Sequence, residues 1–393
     1  MTSEPDALFE LPAEARVPRR ARTPRPRSAP VAPVDLVDMP EPLLPSRPEP
    51  QRQDGPCIAG MEEVGTGLLD HVDAMQRVAA SAPPGPLLIN AGPGTGKTHV
   101  LVRRIAYHVA ELHLPASQCL VLAADAAAAS DIHKQLSELM GTAAGDITIG
   151  AFADFAVGSL PPLGHVFVDD MHLMSQRLYD ALRADRGQQP AFTATGDPDC
   201  LVARDSSPFD AFPRDYPDAR VVRLPRNYRS TAPIIAAAGQ LITPVTRVPG
   251  RAMHPHRPAS GTAPIGRYFA PSAADELDFA NGLASTLAVY GVDAEDVAVL
   301  RADGAKLPGA SIGEVTGRQY RVVCLVGATA EWFPNTPAAR RAMYIAATRA
   351  EDLLYLSHSA TPSPLLDDVD SGLFAAFGKV KVRHPRVEQP RLI

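Results

Sequence analysis

The chain has 393 residues, 38 Lys plus Arg against 44 Asp plus Glu (net charge −6) and 45% hydrophobic residues. At ~150 residues per domain, that is two or three domains able to bury a core. Its four cysteines (Cys57, Cys119, Cys200, Cys324) lie far apart with no CxxC pair, which excludes a disulfide scaffold and a cysteine zinc finger. No apolar run approaches the ~20 residues of a membrane span, and the N-terminus has no apolar signal core. These features predict a soluble, cytoplasmic protein with reduced thiols and no membrane partner.

Pro makes up about a quarter of residues 1–56, interleaved with Arg16, Arg19, Arg20, Arg22, Arg25 and Arg27. Such a segment buries little apolar surface, so residues 1–58 are predicted to be a disordered arm whose arginines suit phosphates. Helical spacing follows over Glu62–Ala80, then a short buried strand at Pro86–Asn90. His99–Leu112 and Ala126–Met140 read as helices, and Gln118–Ala123, Ile147–Ile149, Val166–Val168, Phe192–Ala194 and Ala219–Val222 as strands. A second block has helices at Ala232–Leu241, Ala273–Val289 and Ala338–Ala350, with strands at Val297–Leu300, Val322–Val326 and Asp352–Ser357. The Pro/Arg/His-rich stretch Pro244–Ala263 reads as a loop. Apolar strands alternating with helices predict parallel sheets covered on both faces. The expected division is an arm (1–58), two α/β domains (59–226 and 227–375) and a tail (376–393).

Ala91-Gly-Pro-Gly-Thr-Gly-Lys97-Thr98 lies between a predicted strand and a helix, the setting of a phosphate loop. Gly92, Gly94 and Gly96 let backbone N–H groups converge on phosphate, Thr95 lies within the same loop, and the following helix N-terminus adds positive potential. Lys97 reaches the terminal phosphates and the Thr98 hydroxyl suits Mg²⁺. A second strand ends in Asp169-Asp170, where one carboxylate can serve the metal and its neighbour a water. An acidic strand end is common in ordinary loops, and the phosphate loop is what gives this one chemical meaning.

With these elements in order, the sequence resembles the UvrD/Rep-like superfamily 1 DNA helicases. Gln76 occupies the place of the family's adenine-reading glutamine, and Ala91–Thr98 is similar to motif I. Val168-Asp-Asp-Met-His172 resembles motif II, and Thr195-Gly-Asp-Pro-Asp-Cys200 resembles motif III. Leu224-Pro-Arg-Asn-Tyr-Arg-Ser230 is similar to motif IV, Val315-Thr-Gly-Arg-Gln-Tyr-Arg-Val322 to a worn motif V, and Arg340–Ala350 to motif VI. The resemblance implies two RecA-like domains with ATP and Mg²⁺ between them and single-stranded DNA as partner, a protein partner within a DNA-processing complex being possible. It implies Asp169 and Thr98 at the metal, Asp170 as the water-activating acid, Tyr228 stacked on adenine and Gln319 near the ribose. Arg229 and Arg349 would reach the γ-phosphate from the second domain, where a guanidinium senses charge well. Outside that setting, Arg349 would read as a solvated helix residue and Tyr228 as a core aromatic.

The departures are chemical. Asp170 replaces Glu and is one methylene shorter, and misplacement of a catalytic group is costly. Cys200 stands where motif III has Gln, and a thiol cannot replace an amide. Gln319 replaces a Glu. Ala123-Ala124-Asp125 and Ala151-Phe152-Ala153 replace the family's DNA-contacting motifs, leaving Phe152, Trp332 and Phe333 as possible base platforms that also read as core. Only about ten residues separate Ala156 from the motif II strand, where relatives insert a subdomain, so a bare motor core is expected. The leading expectation is an ATP-dependent DNA translocase or helicase component in replication, recombination or repair. The alternative is a non-hydrolysing helicase homologue acting as a nucleotide-gated DNA-binding or scaffold subunit. A small-molecule kinase would explain motif I but neither motif IV nor motif VI.

Overall fold

A computed structural model describes residues 67–155, 163–184, 191–202, 207–257, 265–305, 307, 309–315 and 317–377. The arm and all but the first residues of the tail lie outside these. In chain order the elements are α1 (Ala74–Ser81), β1 (Leu87–Ala91), α2 (Lys97–Ala110), β2 (Cys119–Ala123), α3 (Ala126–Met140) and β3 (Thr148–Ala151). There follow β4 (His165–Val168), α4 (Gln176–Arg183), β5 (Ala191–Gly196), α5 (Pro208–Asp215), β6 (Arg220–Leu224) and β7 (Arg226–Asn227). The second half adds α6 (Ala232–Ile242), β8 (His254–Pro255), β9 (Ile265–Phe269), α7 (Ala273–Ala288), β10 (Val297–Arg301) and β11 (Ala310–Ser311). It closes with β12 (Tyr320–Leu325), α8 (Pro337–Ala347), β13 (Ala350–His358) and β14 (Phe374–Phe377).

Two six-stranded sheets result, ordered β3-β2-β4-β5-β1-β6 and β11-β10-β12-β13-β9-β14. Every pairing within them is parallel. This is the α/β, two-sheet RecA-like architecture that the resemblance implies. The central strands β2 and β4 are buried along their whole length, because helices cover both faces of a parallel sheet. Leu101, Ile105, Val121, Ile132 and Phe167 form the core on one face of the first sheet. Val166, Val168, Tyr179, Phe192 and Phe212 form the core on the other. Helices α6 and α8 pack together on one face of the second sheet, α7 on its opposite face. The strand β6 is an edge, and its Arg220, Val221 and Arg223 are exposed.

Several boundaries differ from the sequence expectations, each for a local reason. Within the described part of Glu62–Ala80, the helix begins only at Ala74. Asp73 caps it, accepting from the Gln76 backbone N–H at 2.8 Å while the Gln76 side chain accepts from Asp73 N at 3.1 Å. The helix expected over Ala338–Ala350 stops at Ala347 because the chain enters β13 at Ala350, leaving Thr348 and Arg349 in the turn. The strand β9 was not expected, since Gly266 and Arg267 interrupt its apolar pattern. The loop Pro244–Ala263 contains a two-residue strand, β8, paired with β7.

Candidate active site

The strands β4, β5 and β1 are neighbours, so their C-terminal ends bring three loops to one place. The loop after β1 is the glycine-rich one. Gly94 and Gly96 have φ of 73° and 81°, the left-handed region that favours glycine. A Cβ on Gly94 would lie 2.6 Å from Asn227 Nδ2 and 2.7 Å from Arg229 Cβ, so the second half of the chain sits directly against this turn. Lys97 opens α2, whose first N–H groups have no intrahelical acceptor. The Thr95 hydroxyl donates to the Gly92 carbonyl at 2.8 Å, and Lys97 Nζ donates to the same oxygen at 3.4 Å. Donors at a helix N-terminus, the Lys97 cation and a glycine-rich turn suit a polyphosphate.

At the end of β4, Asp169 is 5% exposed and accepts from the Thr98 hydroxyl and from the Thr195 hydroxyl, both at 2.5 Å. Burial and the adjacent Asp170 push its carboxyl up to about 6, while the two hydroxyls act against that rise. A divalent cation would reverse the balance, and Asp169 with Thr98 is an oxygen set that fits Mg²⁺. Asp170 adopts φ 47°, a left-handed conformation that Asp tolerates better than most residues. Its Oδ1 lies 3.6 Å from Lys97 Nζ and makes no hydrogen bond. Burial works to raise this carboxyl, but Lys97, His172 and Arg349 outweigh it and hold it below the usual range. Asp170 therefore remains an anion with a free lone pair facing the loop.

From the other half, Asn227 Nδ2 donates to the Pro93 carbonyl at 2.6 Å, and Tyr228 N donates to the Gly94 carbonyl at 2.8 Å. The Asn227 Oδ1 accepts from the N–H groups of Arg229 and Ser230, fixing the following turn. Arg229 is tied to the Thr348 carbonyl at 3.5 Å. Burial and the charge of Arg349 lower its pKa to about 10, so it stays fully charged at neutral pH. Arg349 is 5% exposed and donates to the carbonyls of Ile345 and Arg318. Both arginines act electrostatically on Asp170. Arg229, packed against Gly94, and Arg349 thus bring charge from the second half of the chain toward Asp170.

The remaining expected residues are placed differently. Gln76 is buried, and its amide donates to the Thr95 carbonyl at 3.1 Å while its oxygen completes the α1 cap. One amide hydrogen and one lone pair are what remain for another partner. The Tyr228 ring lies 4.7 Å from His256, with its hydroxyl on Asp73. Gln319 is exposed in the turn before β12, and no described hydrogen bond ties its side chain to the other site residues. Cys200 is packed beside the second core, its Sγ 3.5 Å from Asp197. Phe333 is wholly core, while Trp332 and Phe152 are partly buried against cores. At the ends of β2 and β3, Asp125 and Asp154 accept from the N–H groups of Ala128 and Ala151.

Three contributors were not singled out from sequence. Thr195 supplies the second hydroxyl on Asp169. Asn227 was visible only as part of a motif. Arg251, in the stretch read as a loop, reaches the phosphate loop, and nothing in its sequence neighbourhood signals it.

Comparison with known proteins places residues 72–199 in the family described as the UvrD/REP helicase N-terminal domain. The chain is 35% identical over 97 residues to the ATP-dependent DNA helicase PcrA of Bacillus subtilis, covering 25% of this chain and 13% of that protein. It is 36% identical over 89 residues to DNA helicase II of Escherichia coli, covering 23% and 12%. The matched segments thus span about an eighth of these relatives' length. The crystal structure of Arterivirus nonstructural protein 10 (helicase) superposes with a TM-score of 0.48 at 19% identity, covering 75% of this chain and 64% of that one.

Proposed function

We propose that the chain, whose residues 72–199 match the UvrD/REP helicase N-terminal domain, is a UvrD/Rep-like superfamily 1 protein acting as an ATP-dependent translocase or helicase component on single-stranded DNA. The observation that carries this reading is the seating of Asn227, Tyr228 and Arg229, from one half of the chain, against Pro93 and Gly94 of the other half's phosphate loop. A site built across two domains couples the charge of its ligand to their separation. Within it, the N-terminus of α2, Lys97 and Gly92–Gly96 hold the phosphates, and Thr98 with Asp169 hold Mg²⁺, which supplies charge neutralisation. Asp170 orients a water and accepts its proton. Arg229 and Arg349 stabilise charge on the transferring group, the dominant contribution in phosphoryl transfer. Tyr228 and Gln319 are assigned to the nucleoside end, and Gln76 to shaping the loop through Thr95.

The DNA grip of this core is weak in our reading. Asp125 and Asp154 place carboxylates at the ends of β2 and β3, where relatives carry DNA-contacting motifs, and like charge repels phosphate. The purified protein should therefore hydrolyse ATP with stimulation by single-stranded DNA, yet unwind duplex poorly without partners. The test is steady-state ATPase activity with and without single-stranded DNA, beside a Lys97→Ala control. Nucleotide binding with no turnover under either condition would discard the motor and leave a nucleotide-gated DNA-binding or scaffold subunit. Processive strand displacement by the chain alone would contradict the weak grip.

A further inference from the structure

The segment between α6 and β9 returns from the second domain to the first, and Arg251 is its main insertion there. Arg251 has 8% of its side chain exposed. Its Nη1 donates to Asp197 Oδ1 and to Asp199 Oδ2, each at 2.7 Å, and its Nη2 donates to Asp197 Oδ2 at 2.7 Å and to the Tyr344 hydroxyl. Tyr344, on α8, donates in turn to Asp197 Oδ2 at 2.8 Å. The backbone before Arg251 is docked too, since Asp199 accepts from the Thr246 hydroxyl and from Arg247 N. On the far side, Asp197 N donates to His172 Nδ1 at 3.3 Å, two residues beyond Asp170.

The guanidinium also abuts the phosphate loop. A Cβ on Gly92 would lie 2.8 Å from Arg251 Nη2, and the Gly92 carbonyl is the oxygen on which Lys97 and Thr95 converge. A planar fork with two parallel donors matches the Asp197 carboxylate in a way no lysine can. Tyr344 belongs to the second core, whereas Asp197, Asp199 and Gly92 belong to the first sheet or its loops. Every bond made by Arg251 that reaches an acid therefore crosses the cleft.

We propose that Arg251 is an interdomain latch and a positioning residue: it holds the cleft closed and, through Asp197, sets the geometry of His172 and the phosphate loop. This inference rests on the proposed ATPase only for its kinetic consequence. Cys200, a weak donor 3.5 Å from Asp197, adds little to this link, which the Arg251 fork and the Tyr344 hydroxyl carry. In this chain the cleft is read by the acid pair and the Arg251 fork.

The test uses the full chain, with a FRET pair introduced as non-natural amino acids at positions 138 and 289. These are exposed sites on α3 of the first domain and just past α7 of the second. Arg251→Gln should broaden and lengthen the interdomain distance, lower the DNA-stimulated kcat at least tenfold and change nucleotide Kd less than threefold. Arg251→Lys should fail to restore either property, because an ammonium cannot engage both acids in the fork. Should Arg251→Gln alone unfold, Arg251→Gln with Asp199→Asn removes one stranded carboxylate and supplies the same measurement. An unchanged distance distribution in the folded variant overturns the latch, as does full rescue by lysine. A wild-type protein without ATPase activity would refute the proposed function, while the FRET arm would still decide the latch.

Discussion

The Tyr228 hydroxyl donates to Asp73 Oδ2 at 2.5 Å, joining the aromatic of motif IV to the residue that caps α1. One carboxylate therefore does two jobs, with Oδ1 accepting from the Gln76 N–H and Oδ2 from the tyrosine across the cleft. Asp73→Ala should cost about 1 kcal/mol from the cap alone, and more from the lost tether. In a double-mutant cycle with Tyr228→Phe, read by urea unfolding, the two residues should couple by about 1 kcal/mol. Strict additivity would show that the tether does not operate in solution.

Arg104 is fully buried on α2 and, among the described residues, bonds to no carboxylate. It donates instead to the carbonyls of Ala79, Ala80, Ala82 and Pro83, at and just past the end of α1, and to the Thr193 hydroxyl. Arg104→Leu should destabilise the protein by about 3–5 kcal/mol, since several buried acceptors lose their donor. Hydrogen exchange should accelerate first in α1, ahead of α3. Uniform acceleration across the first domain would mean that the residue serves the core at large and not this helix.

Beside Arg104 sit two buried imidazoles. Burial, with the charges of His108 and Arg104, lowers His165 to about 2; burial and Arg104 lower His108 to about 4. Both values are depressed below the ordinary 6.5, so the unfolded chain binds protons that the folded chain refuses. Stability is then fully present above pH 6.5 and is lost as pH falls toward 4. Each imidazole approaches about 1.4 kcal/mol per pH unit. Urea midpoints at pH 7, 6 and 5 should show this slope, and His165→Gln should reduce it. A flat profile would place the imidazoles in contact with water.

Asp170→Asn keeps the shape of the carboxylate and removes its charge. Turnover should fall by about 10²–10⁴-fold, the usual contribution of a general base, with nucleotide affinity largely kept because the phosphate contacts lie on the loop and α2. Stopped-assay ATPase rates and a fluorescent-nucleotide titration measure the two quantities separately. Loss of binding with loss of turnover would instead make the Asp170–Lys97 pair a support for the loop.

Much of the site could be read directly because its chemistry is local in the chain. Lys97 and Thr98 follow the glycines, Asp169 and Asp170 end an apolar strand, and Arg229 follows Asn227-Tyr228 within a single motif. The strands of the first sheet were visible for the same reason, as continuous apolar runs such as Val166–Val168. What escaped depends on contacts between distant segments. Arg251 stands among prolines, histidines and other arginines, and only the folded chain shows that it meets Asp197 and Asp199. Arg104 looks like any charged helix residue until its carbonyl partners surround it. The strand β9 was hidden by Gly266 and Arg267, since it is held by β13 and β14 and not by its own pattern.

The two-residue turn between α8 and β13 has a mechanical meaning. Arg349 stands one position before the strand that lies in the middle of the second sheet, and its guanidinium is pinned to carbonyls at Ile345 and Arg318. It has no joint of its own. To withdraw that charge from the cleft, the whole second sheet must travel as a lever with the arginine at its tip. In the proposed ATPase, the state of the nucleotide and the angle between the domains then become a single coordinate.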